Sequence, residues 1–175
     1  MRPERVASET LYNGRVFSIT LDTIREDGHE YSREIVHHHG SAVIAPQFDD
    51  GTLALVRQYR HAAEKYVLEL PAGTLNNGED PLAGAHRELE EEIGVVASKM
   101  EKLCEFYVSP GFLTEKMYLF VASGLTETAQ NLDDDEFVEI ERHSLADLTE
   151  MIRKGDIEDA KTIIGITLLG FQANS

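Results

Sequence analysis

Between Gly73 and Val95 the chain reads GTLNNGEDPLAGAHRELEEEIGV, and its local signals all specify one short helix. Asp80 is an N-cap acceptor, Pro81 suits the first helical position, and Gly94 supplies the left-handed residue that ends a helix. Leu82, Ala85, Leu89 and Ile93 fall on one stripe at helical spacing and predict a face turned to a core. The polar side is harder to account for. Glu88, Glu90, Glu91 and Glu92 stand within five residues, although like charges three or four apart repel by about 0.2–0.5 kcal/mol per pair. In a chain whose formal charge is already −16, that repulsion calls for an offset. Glu88, Glu91 and Glu92 share a face, whereas Glu90 points away by about half a turn. Hard divalent cations such as Mg²⁺ or Mn²⁺ take oxygen ligands and share their remaining positions with water and substrate phosphates. Metal binding is therefore one reading of the cluster, and a solvated acidic helix face is the other.

Composition narrows the classes. A chain of 175 residues with 42% apolar content can bury one core without covalent staples. Thirty-two acidic against sixteen basic residues give a pI near 4.7, which opposes general binding to nucleic acid or to anionic membranes. An anionic substrate would need help from cations. The single cysteine, Cys104, excludes an internal disulfide and a cysteine-based metal centre, which fits a reducing compartment. No apolar run approaches the roughly 18 residues of a membrane span, and the start MRPERVASET lacks the apolar core of a signal peptide. These features predict a soluble, cytoplasmic protein.

Strands dominate the remaining pattern. Phe17, Ile19 and Leu21 alternate with Ser18 and Thr20, and the Asp27-Gly28 turn leads into YSREIV, which predicts a β-hairpin. SAVIAP and TLALVRQY flank the Asp50-Gly51 turn, and YVLELPAG, CEFYVS, MYLFVAS and FVEIER read as four further strands. Two more helices are expected at SLADLTEMIRKG and near DAKTIIGITLLGFQ. Because two strands alone are marginal, the hairpin region, residues 1–40, is set apart from the main domain, residues 41–175, and needs a partner surface. HHH at His37 to His39 reads as a strand end and a turn.

Gly73, Glu79, Arg87, Glu88, Leu89, Glu91, Glu92, Gly94 and Val95 match nine fixed positions over 23 residues. This pattern resembles the signature box of the Nudix hydrolases. The resemblance implies an α+β fold, an α/β/α sandwich with a mixed central sheet, here carrying an N-terminal antiparallel β-sheet appendage. It also implies hydrolysis of a nucleoside diphosphate linked to another moiety, with Mg²⁺ or Mn²⁺. By position, Glu88, Glu91 and Glu92 would be metal ligands with the carbonyl of Ala72, while Arg87 would orient a glutamate and Glu79 would be structural. The chemistry agrees: the charge of a pyrophosphate repels hydroxide, so cations must neutralise its oxygens and hold the water in line. Ser109 and His143 do not make a persuasive triad, and read as a loop residue and a surface or capping residue.

From about Ser8 to Leu169, the segments LYNGRVFSI, SREIV, GSAVIAP, LVRQYR, ELPAG, SPGF, DDDEFVEI and DAKT follow the order seen in bacterial ADP-ribose pyrophosphatases. Pro110 lies 16 residues after Gly94, where that subfamily carries a proline. The reaction implied is ADP-ribose plus water giving AMP and ribose 5-phosphate, in a homodimer. GDP-mannose or another nucleoside diphosphate sugar is the alternative substrate, and a non-catalytic ADP-ribose-binding sensor the alternative class. Arg33 and Arg60 resemble diphosphate contacts, each with a surface salt bridge as its other reading. Glu115 resembles a residue that reaches a ribose hydroxyl, or else is a solvated strand-edge acid. Glu136, with Asp135 as the alternative, resembles the acid that activates water or completes the metal site. Phe17, with Tyr12 nearby, offers adenine a stacking face, or else belongs to the core.

Overall fold

The computed structural model describes residues 2–132 and 137–173. Strands β1 (Glu4–Asn13), β2 (Ser18–Glu26) and β3 (His29–His37) form an antiparallel sheet in the order β1-β2-β3. Asp27 and Gly28 both have positive φ, 48° and 83°, and join Glu26 to His29 as a two-residue hairpin turn that matches strand twist. The sequence pattern had shown only this hairpin. β1 escapes such a reading because nearly all of it is exposed, so no apolar alternation marks it. Its anchor is polar: the Ser8 hydroxyl donates to buried Asp22 at 2.5 Å, and that hydrogen bond holds the Asp22 carboxyl below its ordinary pKa. The sheet meets the main body where the Val36 amide donates to the Phe112 carbonyl at 2.7 Å and the Thr114 amide to the Val36 carbonyl at 2.9 Å.

Strands β4 (Ser41–Pro46), β5 (Thr52–Arg60), β6 (Lys65–Glu69), β7 (Ala72–Thr74), β8 (Val95–Tyr107), β9 (Lys116–Glu127) and β10 (Val138–Ser144) make two sheets, ordered β7-β4-β9-β8 and β10-β5-β6. β4 runs parallel to β9 and antiparallel to β7, so the first sheet is mixed. All six residues of β4 are buried. Alternation sends Ala42 and Ile44 to one side with Ala54 and Val56, and Val43 and Ala45 to the other with Leu53 and Leu55. Helix α1 (Pro81–Glu88) covers the first side through Ala85, and the turn that follows adds Leu89 and Ile93. Leu148 of α2 (Leu145–Lys154) and Ile166 and Leu169 of α3 (Ala160–Ala173) cover the second. This is the expected α/β/α sandwich. Each of these large apolar side chains contributes about 1.5–3 kcal/mol by leaving water.

Three local readings need correction. YVLELPAG is not one strand: Pro71 lacks an N–H, the ladder breaks there, and its carbonyl instead accepts from the Ile44 amide at 2.9 Å. CEFYVS and MYLFVAS are parts of longer strands, β8 and β9, whose polar outer segments hide their length. Leu82 is 41% exposed rather than core, and the helix turns π-helical over Leu89–Ile93 before Gly94, at φ +68°, ends it.

Candidate active site

The acidic helix is aimed by the ladder beside it. Pairing of β4 with β7 sets Ala42 opposite Gly73 and Val43 opposite Ala72, which delivers the loop after Thr74 to the start of α1. Asp80 caps that start by accepting from the Ala83 amide at 3.2 Å. Gly73 is required for proximity: a Cβ there would stand 1.9 Å from Glu88 Oε1. The Glu88 carboxyl therefore lies directly over the β7 backbone.

Arg87 organises the cluster. Its Nη1 donates to Glu88 Oε1 at 2.6 Å and to Glu91 Oε2 at 2.8 Å, while Nε and Nη2 donate to Glu79 at 3.1 and 3.2 Å. Glu79 also accepts from the Asn76 amide at 2.7 Å. The hydrogen bonds from Arg87, and then from that amide, hold Glu79 below its ordinary pKa, and Glu79 in turn raises Arg87. Glu88 and Glu92 are buried, at 7% and 3% exposure, whereas the Glu91 side chain is 33% exposed. Glu92 Oε2 accepts from the Ala72 amide at 3.2 Å. Behind them, the Glu92 carbonyl accepts from Gln130 Nε2 at 2.6 Å, the Glu91 carbonyl from the Asn131 amide at 3.1 Å and the Gly94 carbonyl from the Thr128 amide at 2.8 Å. This strap satisfies the orphan carbonyls of the helix end and fixes its rotation.

The donor set fits a hard cation. It is all oxygen, two of its three carboxylates are shielded from water, and the cluster already holds a guanidinium between Glu88 and Glu91. As they stand, no three acidic, imidazole or thiolate side chains among the described residues converge closely enough to hold a metal ion.

Other predicted residues take separate places. Arg60 Nε and Nη2 grip Glu69 at 2.7 and 2.9 Å, and that hydrogen bond, with the fields of Glu69, Glu92 and Asp159, raises the guanidinium above its ordinary pKa. Arg60 thus both makes a salt bridge and lies in the field of Glu92. Glu115 Oε1 accepts from the Ser41 hydroxyl at 2.8 Å, with His38 Nδ1 3.7 Å away. Ser41 faces Thr74 in the β4–β7 ladder, so Glu115 is tied to the strand next to the glutamate loop. Arg33 remains on the N-terminal sheet, donating to the Ser32 carbonyl at 3.0 Å over the Tyr31 ring. Phe17 is 41% exposed and packs on Tyr12 at 5.5 Å rather than in the core. With Arg15, His37, His39 and Thr114 it lines a cavity of about 270 Å³. Glu136 and Asp135 lie outside the described residues. His143 is paired with Glu141 at 2.9 Å, and the Ser109 carbonyl caps a turn at Leu113, so neither belongs to a triad.

Sequence reasoning assigned no role to Glu69 or Lys161. Both are buried, at 3% and 6% exposure, and hydrogen-bonded to each other. The available signal was a charged residue inside an otherwise apolar segment, in YVLELPAG and in DAKTIIGI.

A family model described as the NUDIX domain matches residues 37–164. A protein of Bacillus methanolicus named methanol dehydrogenase activator is 39% identical over 170 residues, 95% of this chain and 92% of its own length. An ADP-ribose pyrophosphatase of Bacillus subtilis is 36% identical over 172 residues, 97% of this chain and 93% of its own. A crystal structure of an ADP compounds hydrolase superposes with a TM-score of 0.87 over 99% of this chain and 95% of that one, at 24% identity, a likeness of fold. With its domain match spanning most of its length and its box glutamates gathered on one capped helix, the chain belongs to the Nudix family.

Proposed function

We infer that the chain is a divalent-metal-dependent pyrophosphohydrolase that converts ADP-ribose and water to AMP and ribose 5-phosphate. The observation that carries this reading is the buried pair Glu88 and Glu92, flanked by Glu91 and held against the β7 backbone at Gly73 and Ala72. The kinship with an ADP-ribose pyrophosphatase over nearly the whole chain supports the substrate. Glu88, Glu91, Glu92 and the Ala72 carbonyl would hold Mg²⁺, or Mn²⁺, which when bound neutralises phosphate oxygens and lowers the pKa of water. The chain's own residues do the rest. Arg87 keeps Glu88 and Glu91 in place through its fork. Arg60 presents a guanidinium to the diphosphate, and Glu115, steadied by Ser41, takes a ribose hydroxyl. Water attacks one phosphorus, the bridging P–O bond breaks, and the proton of the water passes to Glu136 or Asp135 as the second phosphate departs. Among the described residues no helix is long and apolar enough to cross a membrane.

Phe17, between β1 and β2, and Arg33, in β3, belong to the N-terminal region, residues 1–40, rather than to the carboxylate helix. Leu11, Tyr12, Val16 and Phe17 are all exposed there, which supports a homodimer that seats the N-terminal sheet against a second copy. In that arrangement Phe17 stacks adenine and Arg33 meets the diphosphate. The reducing composition supports a cytoplasmic location.

The test is hydrolysis of ADP-ribose in Mg²⁺, with GDP-mannose run beside it and products identified. Release of AMP and ribose 5-phosphate is expected, and a hundredfold preference in kcat/KM for GDP-mannose would replace the substrate assignment. The relative named methanol dehydrogenase activator favours a second reading, in which this domain stimulates a dehydrogenase. Adding the chain and its Glu92→Gln variant to a methanol dehydrogenase separates the two: stimulation that survives the substitution would point to a binding role.

A further inference from the structure

Lys161 is the one charged residue of α3 and is 6% exposed, yet no step of the proposed hydrolysis uses it. A buried ammonium is destabilising unless paired, and an apolar residue of similar volume commonly serves stability as well or better. Its partners suggest why it is there. Lys161 Nζ donates to Glu69 Oε2 and lies 3.1 Å from Asp159 Oδ1. The same Glu69 carboxylate accepts Arg60 Nε and Nη2 on its other side. Asp159 Oδ2 accepts from the Thr162 amide and hydroxyl at 3.0 and 2.6 Å, and the Leu70 amide donates to Thr162 Oγ1 at 2.7 Å. The start of α3 is thereby locked to the segment that leads through Pro71 to Ala72.

Two cations and two anions make this cluster neutral. Without Lys161 it would carry an excess negative charge, and Arg60 already lies in the field of Glu92. Arg60 has spent Nε and Nη2 on Glu69; its side chain is 42% exposed, Nη1 has no hydrogen bond among the described residues, and Glu92 contributes to its field. An open cavity of about 480 Å³, lined by Arg60, Val67, Glu69, Asp159 and Lys161, leads to it.

We propose that Lys161 is a positioning residue for the anionic substrate: by balancing Glu69 and Asp159 from within the core, it keeps Arg60 fixed in direction and its cluster free of excess negative charge toward a diphosphate. This inference rests on the reading of Arg60 as a diphosphate contact. The test uses Lys161→Met, Asp159→Asn and the double variant, the last of which leaves Arg60 against Glu69 and so restores neutrality. Asparagine keeps an acceptor for Thr162. Kinetics on ADP-ribose in Mg²⁺ are paired with calorimetric binding of its non-hydrolysable α,β-methylene analogue and with melting curves. Lys161→Met should raise KM and the analogue Kd about tenfold with kcat within about threefold, and the double variant should return both to within about twofold of wild type. A merely structural lysine would lower Tm without that recovery. A folded Lys161→Met protein with unchanged KM and Kd, or a folded double variant that recovers nothing, overturns the proposal. Should Lys161→Met not fold, Asp159→Asn alone decides: its excess positive charge should tighten analogue binding about threefold, and unchanged or weaker binding is the contrary result. Wild-type protein that neither turns over ADP-ribose nor binds the analogue would instead remove the functional reading, and this inference with it.

Discussion

Gly73→Ala should remove activity while leaving the fold intact. The added Cβ would stand 1.9 Å from Glu88 Oε1, 2.0 Å from Cδ and 2.2 Å from Oε2, whereas ordinary contact begins near 3.4 Å. The Glu88 carboxyl must therefore retreat by about 1.5 Å, the difference between the first and last of those distances. It can do so, because it is the far end of a flexible side chain, but it then leaves the 2.6 Å hydrogen bond from Arg87 and its place among the carboxylates. A misplacement near 1 Å at a reacting centre can cost about 100-fold, so kcat for ADP-ribose should fall at least that far. The backbone has no reason to object. Gly73 has no positive φ and pairs with Ala42 in a regular ladder, where alanine is favoured over glycine by about 0.5–1 kcal/mol. Tm should hold or rise slightly, and the Mg²⁺ concentration for half-maximal rate should increase. The assay couples AMP release to a phosphatase and is read beside a calorimetric melt. A variant with kcat within threefold of wild type would refute the reasoning. So would a Tm loss of several degrees with the residual activity of the folded fraction unchanged, since the strand rather than Glu88 would then have moved.

Glu92→Gln keeps an acceptor for the Ala72 amide but loses a charge, so ADP-ribose turnover should drop by about two orders of magnitude or more, with an unchanged circular dichroism spectrum. Gly94→Ala puts a side chain at φ +68°, 3.1 Å from the Gln130 amide nitrogen. The left-handed conformation alone costs about 1–2 kcal/mol, and a melt should show Tm lower by about 3–6 °C. Burial would raise the pKa of Glu69, but hydrogen bonds from Arg60 and the charge of Lys161 outweigh it and leave the folded value below the ordinary 4.5. The stability linked to that shift is present above pH 4.5 and is lost as pH falls toward the folded value. Urea unfolding of Glu69→Gln should accordingly show a flatter dependence than wild type between neutral pH and the acid side of 4.5; parallel curves would contradict the shift.

Much of the architecture was legible because period and punctuation coincide. Asp80, Pro81 and Gly94 mark the helix limits, and the Asp27-Gly28 turn has the two positive φ values its hairpin requires. β1 was not legible, since a strand held by its ladder and by Asp22 leaves no apolar alternation. The roles of Glu69 and Lys161 were hidden for a different reason. Their pairing spans 92 positions, and no local pattern reports which buried acid faces which buried base. For Phe17 the structure decides between its two readings only in part: its spacing with Ile19 and Leu21 suits a core strand, but it precedes β2 and packs on Tyr12 at the surface, which removes the core alternative.

The question posed by four crowded glutamates is answered by a change of helical pitch. On an ideal α-helix Glu91 and Glu92 would flank the meridian of Glu88, three and four residues on, and the three charges would repel about equally. From Leu89 the chain winds as a π turn, in which each turn holds more residues, so both later glutamates rotate back. Glu92 comes nearer to alignment with Glu88, inward against the Ala72 amide at 3% exposure, and Glu91 swings toward solvent at 33%. Glu90 is carried to the outside, where its carbonyl accepts from the Gly94 amide at 3.0 Å and closes the helix. The repulsion is thus distributed rather than removed: one guanidinium serves Glu79, Glu88 and Glu91, and one backbone amide serves Glu92. A helix optimised for its own stability would keep the regular pitch and place lysines among the acids. This one gives up regular α-helical hydrogen bonding over five residues, and with that change of pitch Glu88 and Glu92 lie inward while Glu91 stays part-exposed on the Arg87 fork.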